Sequence, residues 1–495
     1  MSEREIRIEK AQRLREQGID PYPARFQPER THTIPNAMEN FETLAEQKTT
    51  VTLTGRIISR RDMGKAVFMH IEDGYSKAQV YARRDDIGEE QFSLLKLLDL
   101  GDFVAVSGYL FTTKTGEKSL HAHSISLLAK SLHQLPAKHE GLKDAELRQR
   151  KRYLDLIANR DEVMDVFIAR THIISAVREF LDSLNYLEVE TPILQPLYGG
   201  ATAKPFSTHH NALDRDLFLR IAPELYLKRL LVGGFERVYE VARNFRNEGI
   251  DRSHNPEFTM LEFYEAYADY TVMMQRVEDL VTFAAQKALG KLQFEWGSVT
   301  IDLAKPWRRI TLRDAILHYV GIDYDAYPDR ESLLNVITKK KIHVDPNRGR
   351  GRLIDELKDE MFRAGGDELL QPIILYDFPV DLSPLTKKKP GVPGTVERFQ
   401  AHLAGMQLAT SFSELNDPQD QFDRFEDQAA QRALGDDESQ NMDSDYIEAL
   451  EVGMPPAGGV GIGLDRLVMA LTNQQNIREV ILFPTMRTLE QQENI

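Results

Sequence analysis

"RNFRNEGIDRSHNPEFTMLEFYEAYADY", Arg243 to Tyr270, interleaves arginines, a histidine, aromatic rings and carboxylates. A solvated surface has no use for the rings, and a core strand has none for the charges. The period resolves the mixture. "FTMLEFYEAYA" alternates as a strand does, with Phe258, Met260, Glu262 and Tyr264 on one face and Thr259, Leu261 and Phe263 on the other. The second face reads as core. The first carries a ring, a carboxylate and a phenol, which are costly to bury unless a polar ligand lies against them. Before it, "ERVYEVARNFR" also alternates and puts Glu240, Asn244 and Arg246 on one face. Between the two, "NEGIDRSHNPE" is rich in turn formers. A hairpin with a long loop is expected, with an arginine leaving one strand and an aromatic ring entering the next. Arginine and histidine suit phosphates, and a ring offers a base a stacking surface. A hairpin that only pairs surface charges is the alternative at this point.

Two further segments bear on that choice. "GGVGIGLDRLVMAL" places Gly459, Gly461 and Gly463 at alternate positions, so one face of a strand is bare backbone, and Arg466 opens the helix that follows. The spacing is not that of a dinucleotide fingerprint. In "TSFSELNDP", Thr410, Phe412 and Glu414 share a face. A lone carboxylate buried there needs a cation.

The chain as a whole sets the frame. Its 495 residues are 42% hydrophobic and 28% charged, a globular composition long enough for several domains. With no cysteine, disulfides and thiolate metal sites are excluded. No apolar run approaches the ~18 residues of a membrane span. The opening "MSEREIRIEKAQRLREQ" is charged and helical rather than a signal peptide, so a cytoplasmic protein is expected. A net charge of −15 is awkward for nucleic-acid binding, although "GRIISRRDMGK" and "LRQRKRY" concentrate positive charge. Each of these also reads as a solvated charge run.

The fold class expected is α+β. Residues 1–45 read as a helical extension. Over residues 46–135, "VTLTGRII", "AVFMHIED", "KAQVYARR", "DFVAVSGYLF" and "LHAHSISLL" are five short strands, as in an OB-type barrel or a plain structural β-domain. Residues 136–160 read as a linker. Residues 161–495 begin with a helix that carries Val166, Ile173, Val177 and Leu181 on or near one face, then an alternating "YLEVETPIL" ending at Pro192. "LGDDESQNMDSDY" reads as an exposed acidic loop.

"FERVYEVARNFRNEGIDRSHNPEFTMLEFYEAYADY" and "GMPPAGGVGIGLDRLVMAL" resemble motifs two and three of the class II aminoacyl-tRNA synthetases. "YGGATAKPFSTHHNALDRDLFLRIAPELYLKRLLVGGFERV" and "FSELNDP" look like the lysine-specific branch of that family rather than the aspartate or asparagine branches. The resemblance runs from "GIDPYPARF" to "REVILFP". It implies an OB-fold anticodon-binding domain and a catalytic domain with a mixed, mainly antiparallel sheet flanked by helices. Motif one would lie at about 163–192 and form a homodimer interface, motif two at about 235–270 and motif three at about 458–471. The reaction implied is ATP-dependent activation of L-lysine to an adenylate, followed by transfer to tRNA(Lys).

The resemblance also assigns roles to residues. Arg246 and Arg466 would be catalytic, Arg246 on the α-phosphate and the substrate carboxylate and Arg466 on the other side of the nucleotide. Glu248, His254 and Asn255 would belong to the ATP site, with Phe258 stacked on adenine. Lysine would be held by Gly200, Glu224, Arg246, Glu262, Tyr264, Phe412, Glu414, Gly461 and Gly463. Within that set, Tyr264 and Glu414 would receive the ε-ammonium. In the barrel, Arg61, Phe68, Gln79 and Glu117 would meet anticodon bases. Magnesium is expected with ATP. In "ERFQAHLAGMQLATSFSELND", however, Gln400 and Gln407 stand where the family carries two metal-binding glutamates, and Thr410 stands where it carries an asparagine. No protein metal ligand is therefore assigned. Two readings follow from the departure. One is a lysine–tRNA ligase with an altered metal site. The other is a diverged paralogue, which would act on another amine or acceptor or would only bind tRNA and ATP.

Overall fold

The computed structural model describes residues 1–136, 141–201, 203–346, 348–383, 385–433 and 442–488. Contacts divide the chain into two compact units, Met1–Lys143 with Tyr153–Asn159, and Asp144–Arg152 with Arg160–Ile495.

In the first unit, five strands close into a barrel in the order Val51–Met63, Ala66–Glu72, Lys77–Arg83, Lys118–Ala129, Phe103–Thr112. Alternation decides the inside. Val67, Met69 and Ile71 are buried on the second strand, and Ala78, Val80 and Ala82 on the third. The segment Arg84–Leu95, helical on either side of a break at Gly88 (φ 82°), adds Phe92, Leu94 and Leu95 to the same core. The N-terminal helix Glu3–Glu16 starts with a capping box, in which Ser2 Oγ accepts from the Glu5 amide and the Glu5 carboxylate accepts from the Ser2 amide.

The second unit is built on an eight-stranded sheet. Its strands run in the order Arg308–Thr311, Ile373–Pro379, Thr395–Leu403, Met406–Ser413, Ala457–Gly463, Glu257–Ala266, Arg237–Phe245, Leu187–Glu188. Both outermost pairings are parallel and the rest are antiparallel. The expected hairpin forms, with Asn244 opposite Phe258 and Glu240 opposite Glu262. Leu261 and Phe263 are fully buried with Val460 and Ile462, against the helices Arg160–Ser183 and Tyr270–Leu289. One face of the sheet is thereby committed to the core, and the polar face remains for the site. The second helix is set by its ends. Asp269 accepts from the Thr271 and Val272 amides, and Gly290 closes it at φ 69°.

Two expectations are corrected. "YLEVETPIL" does not form one strand; only Leu187–Glu188 and, separately, Leu194–Gln195 are extended and paired. Pairing with the large sheet ends after Glu188, where the Val189 amide makes the last bond to the Tyr239 carbonyl, and Pro192 beyond it has no amide to donate. The Thr191 carbonyl instead accepts from Arg220 Nη1 at 3.2 Å. The acidic stretch is not one exposed loop. Its residues 434–441 lie outside the described residues, but Asp443 caps the helix Ser444–Gly453 and Tyr446 on that helix is fully buried.

Candidate functional site

The two strands of the hairpin and the glycine strand beside them bring most of the expected residues to one sheet face. Gly463 pairs with Met260, Gly461 with Glu262 and Gly459 with Tyr264. Met260, Glu262 and Tyr264 therefore each have a bare glycine beside them. The motif strands are locked by Asp465, whose Oδ2 accepts from the Thr259 amide at 2.7 Å while Oδ1 pairs with Arg170 at 2.6 Å.

A first cavity of about 160 Å³ is lined by Arg246, Glu248, His254, Asn255, Phe258, Gln407, Thr410, Gly461, Gly463 and Arg466. The Arg246 guanidinium lies over the Phe258 ring, 5.0 Å from its centroid. Arg466 Nη1 donates to the backbone carbonyl of Gln407 at 2.7 Å. Burial lowers the pKa of both guanidiniums, and that of Arg466 is lowered further by Arg246. Two partly desolvated cations in one cavity with a stacking ring suit a polyanion that carries a base. Asn255 serves the loop itself. Its amide nitrogen donates to the Glu257 carbonyl at 2.6 Å, and its oxygen accepts from the Thr485 amide at 3.3 Å.

A second cavity of about 340 Å³ shares Arg246, Gln407, Thr410 and Gly461 with the first and is also lined by Gly200, Glu224, Glu262, Tyr264, Phe412 and Gly459. Gly200 adopts φ +84°, and a Cβ there would stand 2.8 Å from Glu224 Cβ. The Tyr264 hydroxyl donates to Glu262 Oε2 at 3.1 Å. Burial, and then Glu224, drive the Glu262 carboxyl well above the usual range. Glu240 on the facing strand is neutralised by Arg220 at 2.5 Å. Glu414 is buried behind Gly459, where any Cβ would collide with Glu414 Oε1 and with the Tyr264 ring. Burial pushes the Glu414 carboxyl up to about 8. The cation that Glu414 requires comes from inside the protein. Lys228 Nζ, fully buried, pairs with Glu414 Oε2 at 2.5 Å and with Glu224 Oε1 at 2.6 Å.

Gln407 and Thr410 line both cavities, and Gln400, which lines the second, stands opposite Thr410 on the neighbouring strand. Gln400 Oε1 is 3.4 Å from His402 Nε2, and burial together with Lys358 and Arg466 holds that ring well below its usual pKa. Lys358 itself pairs with Asp355 at 2.5 Å. Magnesium takes carboxylate and phosphate oxygens in octahedral array. Gln400, Gln407 and Thr410 offer two amides and a hydroxyl, with Lys358 and Arg466 nearby and Asp355 already paired with Lys358. Among the described residues there is no group of three or more His, Cys, Asp or Glu placed to hold a metal ion. The side chains present do not fit a magnesium ion held by the protein.

In the barrel, Arg61, Phe68, Gln79 and Glu117 fall together around an open hollow of about 830 Å³. Gln79 Nε2 donates to Glu117 Oε2 at 2.9 Å, and Glu117 Oε1 faces His70 Nε2 at 3.2 Å. Phe68 leans on Tyr81 with centroids 4.9 Å apart, and Tyr81 is 6.0 Å from Phe111. Tyr81 and Phe111 had not been singled out in the sequence. Their alternation with Gln79 and Tyr109 on the same strands was the available signal. Lys228 was also missed, although Glu224 and Lys228 in "ELYLK" have the i,i+4 spacing of a helical ion pair. Arg398, half-buried and with its pKa lowered to about 10 by desolvation, gave no signal beyond its place in an alternating strand.

Comparisons with known proteins agree with this geometry. Residues 144–487 match the family described as tRNA synthetases class II (D, K and N), and residues 51–128 match the OB-fold nucleic acid binding domain. A lysine–tRNA ligase of Pelotomaculum thermopropionicum is 50% identical over 487 residues, 98% of this chain and 95% of that protein. Lysine–tRNA ligases of Clostridium acetobutylicum, 49% identical over 98% of this chain and 93% of the relative, and of Moorella thermoacetica, 50% identical over 98% of each, are similar to it to the same degree.

Proposed function

Since the chain belongs to the class II tRNA synthetases of the D, K and N group, we propose that it is a lysine–tRNA ligase that activates L-lysine with ATP and transfers it to tRNA(Lys). The observation that carries the choice of lysine is the buried acidic set of Glu224, Glu262 and Glu414 with the Tyr264 hydroxyl, beside a guanidinium at Arg246. Aspartate would need cations where these carboxylates stand, and asparagine brings no charge to offset their burial. In this reading Arg246 orients the lysine carboxylate toward the α-phosphate of ATP. A carboxylate oxygen attacks phosphorus as the bond to pyrophosphate breaks, which gives the adenylate. A ribose hydroxyl of tRNA then attacks the carbonyl carbon, and AMP leaves. No protein group is covalently modified, so catalysis is positioning and charge stabilisation.

The further parts of the reading are these. Phe258 carries adenine, Arg466 and His254 hold phosphates, and Glu248 and Asn255 shape the loop around them. Arg61, Phe68, Gln79 and Glu117 meet the anticodon on the open side of the barrel. Gln400 and Gln407 replace metal-binding carboxylates, so magnesium arrives with the nucleotide and is held mainly by its phosphates. The chain works in the cytoplasm as a homodimer. No helix among the described residues is long and apolar enough to cross a membrane. The deciding experiment is lysine-dependent ATP–pyrophosphate exchange, followed by charging of tRNA(Lys). Exchange without lysine specificity, or none, would remove this reading in favour of a diverged paralogue.

A further inference from the structure

Lys228 belongs to none of the groups that meet substrate in the proposed reaction, yet it is the cation at the centre of the acidic set. It sits on the helix Glu224–Val232, one turn after Glu224, with no exposed side-chain surface. Its Nζ bridges Glu224 Oε1 at 2.6 Å and Glu414 Oε2 at 2.5 Å, and it lies 5.3 Å from the centroid of the Phe412 ring. One ammonium therefore fixes two carboxylates that come from a helix and from the end of a strand distant in sequence.

We propose that Lys228 is a positioning and specificity-determining residue, which holds Glu414 by one oxygen so that the other is presented at a fixed place to the ε-ammonium of the amino-acid substrate. Glu414 Oε1 makes no hydrogen bond among the described residues and lies against the bare backbone of Gly459, which lines the cavity. A buried acceptor that is free, aimed and unable to rotate is complementary to one donor position only. Charge gives a second reason. Once all three have ionised to receive substrate, Glu224, Glu262 and Glu414 carry three negative charges in one buried set, and Lys228 reduces the excess to two, matching the two ammonium groups of a lysine zwitterion whose carboxylate is left to Arg246. Without Lys228, Glu414 would lose the interaction that favours its ionised form and would be free to turn.

The inference rests on lysine being the substrate, and the test separates the two. Pyrophosphate exchange is measured with lysine and with ornithine, one methylene shorter, between pH 6.5 and 9.5, for the parent chain and for Lys228→Met. The expected result is a KM for lysine raised by about 100-fold at neutral pH, with KM for ATP changed less than about threefold. The lysine-over-ornithine preference should shrink by about tenfold, and the rise of kcat/KM with pH should move to higher pH. Unchanged preference and an unchanged pH profile in a folded Lys228→Met protein would overturn the proposal. If that variant does not fold, the neutral pair Lys228→Met with Glu414→Gln is compared with Glu414→Gln alone. With Glu414 neutral Lys228 still pairs with Glu224 but no longer positions Glu414, so removing it should raise the KM for lysine by less than about tenfold. A further large loss would also overturn it. A parent chain that does not activate lysine would instead defeat the proposed function and leave this residue with no such role.

Discussion

Arg466 donates to His254 Nε2 at 3.0 Å, while His254 Nδ1 faces Asp251 Oδ2 at 2.8 Å. The ring is thus fixed as the tautomer with its proton toward the carboxylate, and it steadies the motif-three arginine from the tip of the motif-two loop. His254→Ala removes that support without touching the acidic set. KM for ATP is expected to rise about tenfold and KM for lysine to stay within about twofold, as read in pyrophosphate exchange.

Glu414 is expected to set the preference for an amine-bearing side chain. A site built around buried charge leaves a polar group unpaired when the partner is lost, and such sites discriminate strongly. Glu414→Gln should lower kcat/KM for lysine by about 100-fold or more while nucleotide binding changes little. Equilibrium dialysis of ATP run beside the exchange assay distinguishes this from a damaged fold.

The same carboxyl gives a pH dependence. Burial raises it from 4.5 to about 8 in the free protein, so at neutral pH it is mostly protonated and must ionise to receive an ammonium. Lysine kcat/KM should therefore climb by roughly tenfold from pH 7 to about pH 9. For stability the sign is opposite. The fold disfavours the ionised form, so this group costs stability as pH rises from 4.5 toward 8. A flat kcat/KM profile over that range would show that Glu414 is already ionised in the free site.

Phe68 is expected to act on tRNA and not on adenylation. Removing a stacking ring costs roughly 1–3 kcal/mol per base. Phe68→Ala should lower tRNA charging by about tenfold or more and leave exchange without tRNA near normal. Equal losses in both assays would mean that the ring only packs against Tyr81.

Restoring carboxylates at Gln400 and Gln407 tests the metal assignment. Gln400→Glu with Gln407→Glu should lower the magnesium concentration for half-maximal exchange by about threefold or more, because two carboxylates would face a dication that the amides hold weakly. Thr410→Asn is added as a third change. An unchanged magnesium dependence in the double and triple variants contradicts the view that Gln400 and Gln407 replaced metal ligands.

Much of this site could be read from period alone. Alternation placed Leu261 and Phe263 in the core and Phe258, Glu262 and Tyr264 on the opposite face, because a paired strand has one geometry. Glycines at every second position identified the bare strand for the same reason. What alternation cannot show is which distant element meets a face. Glu414 looked like a lone carboxylate in sequence, and its partner Lys228 comes from a helix far upstream, a contact set by packing and not by local pattern. The strand expected over "YLEVETPIL" ends at Glu188, ahead of Pro192, whose missing donor was a local signal that the apolar alternation outweighed. The buried end of the acidic stretch was masked by its composition, since among its described residues only Met442 and Tyr446 bring apolar packing.

The most direct test of the central claim is amino-acid-dependent pyrophosphate exchange by the unmodified chain, with lysine, aspartate and asparagine offered separately and without tRNA. The account predicts exchange with lysine at least about 100-fold faster, at equal concentration, than with either of the others. Exchange with aspartate or asparagine at a comparable rate, or no exchange with lysine, would contradict it.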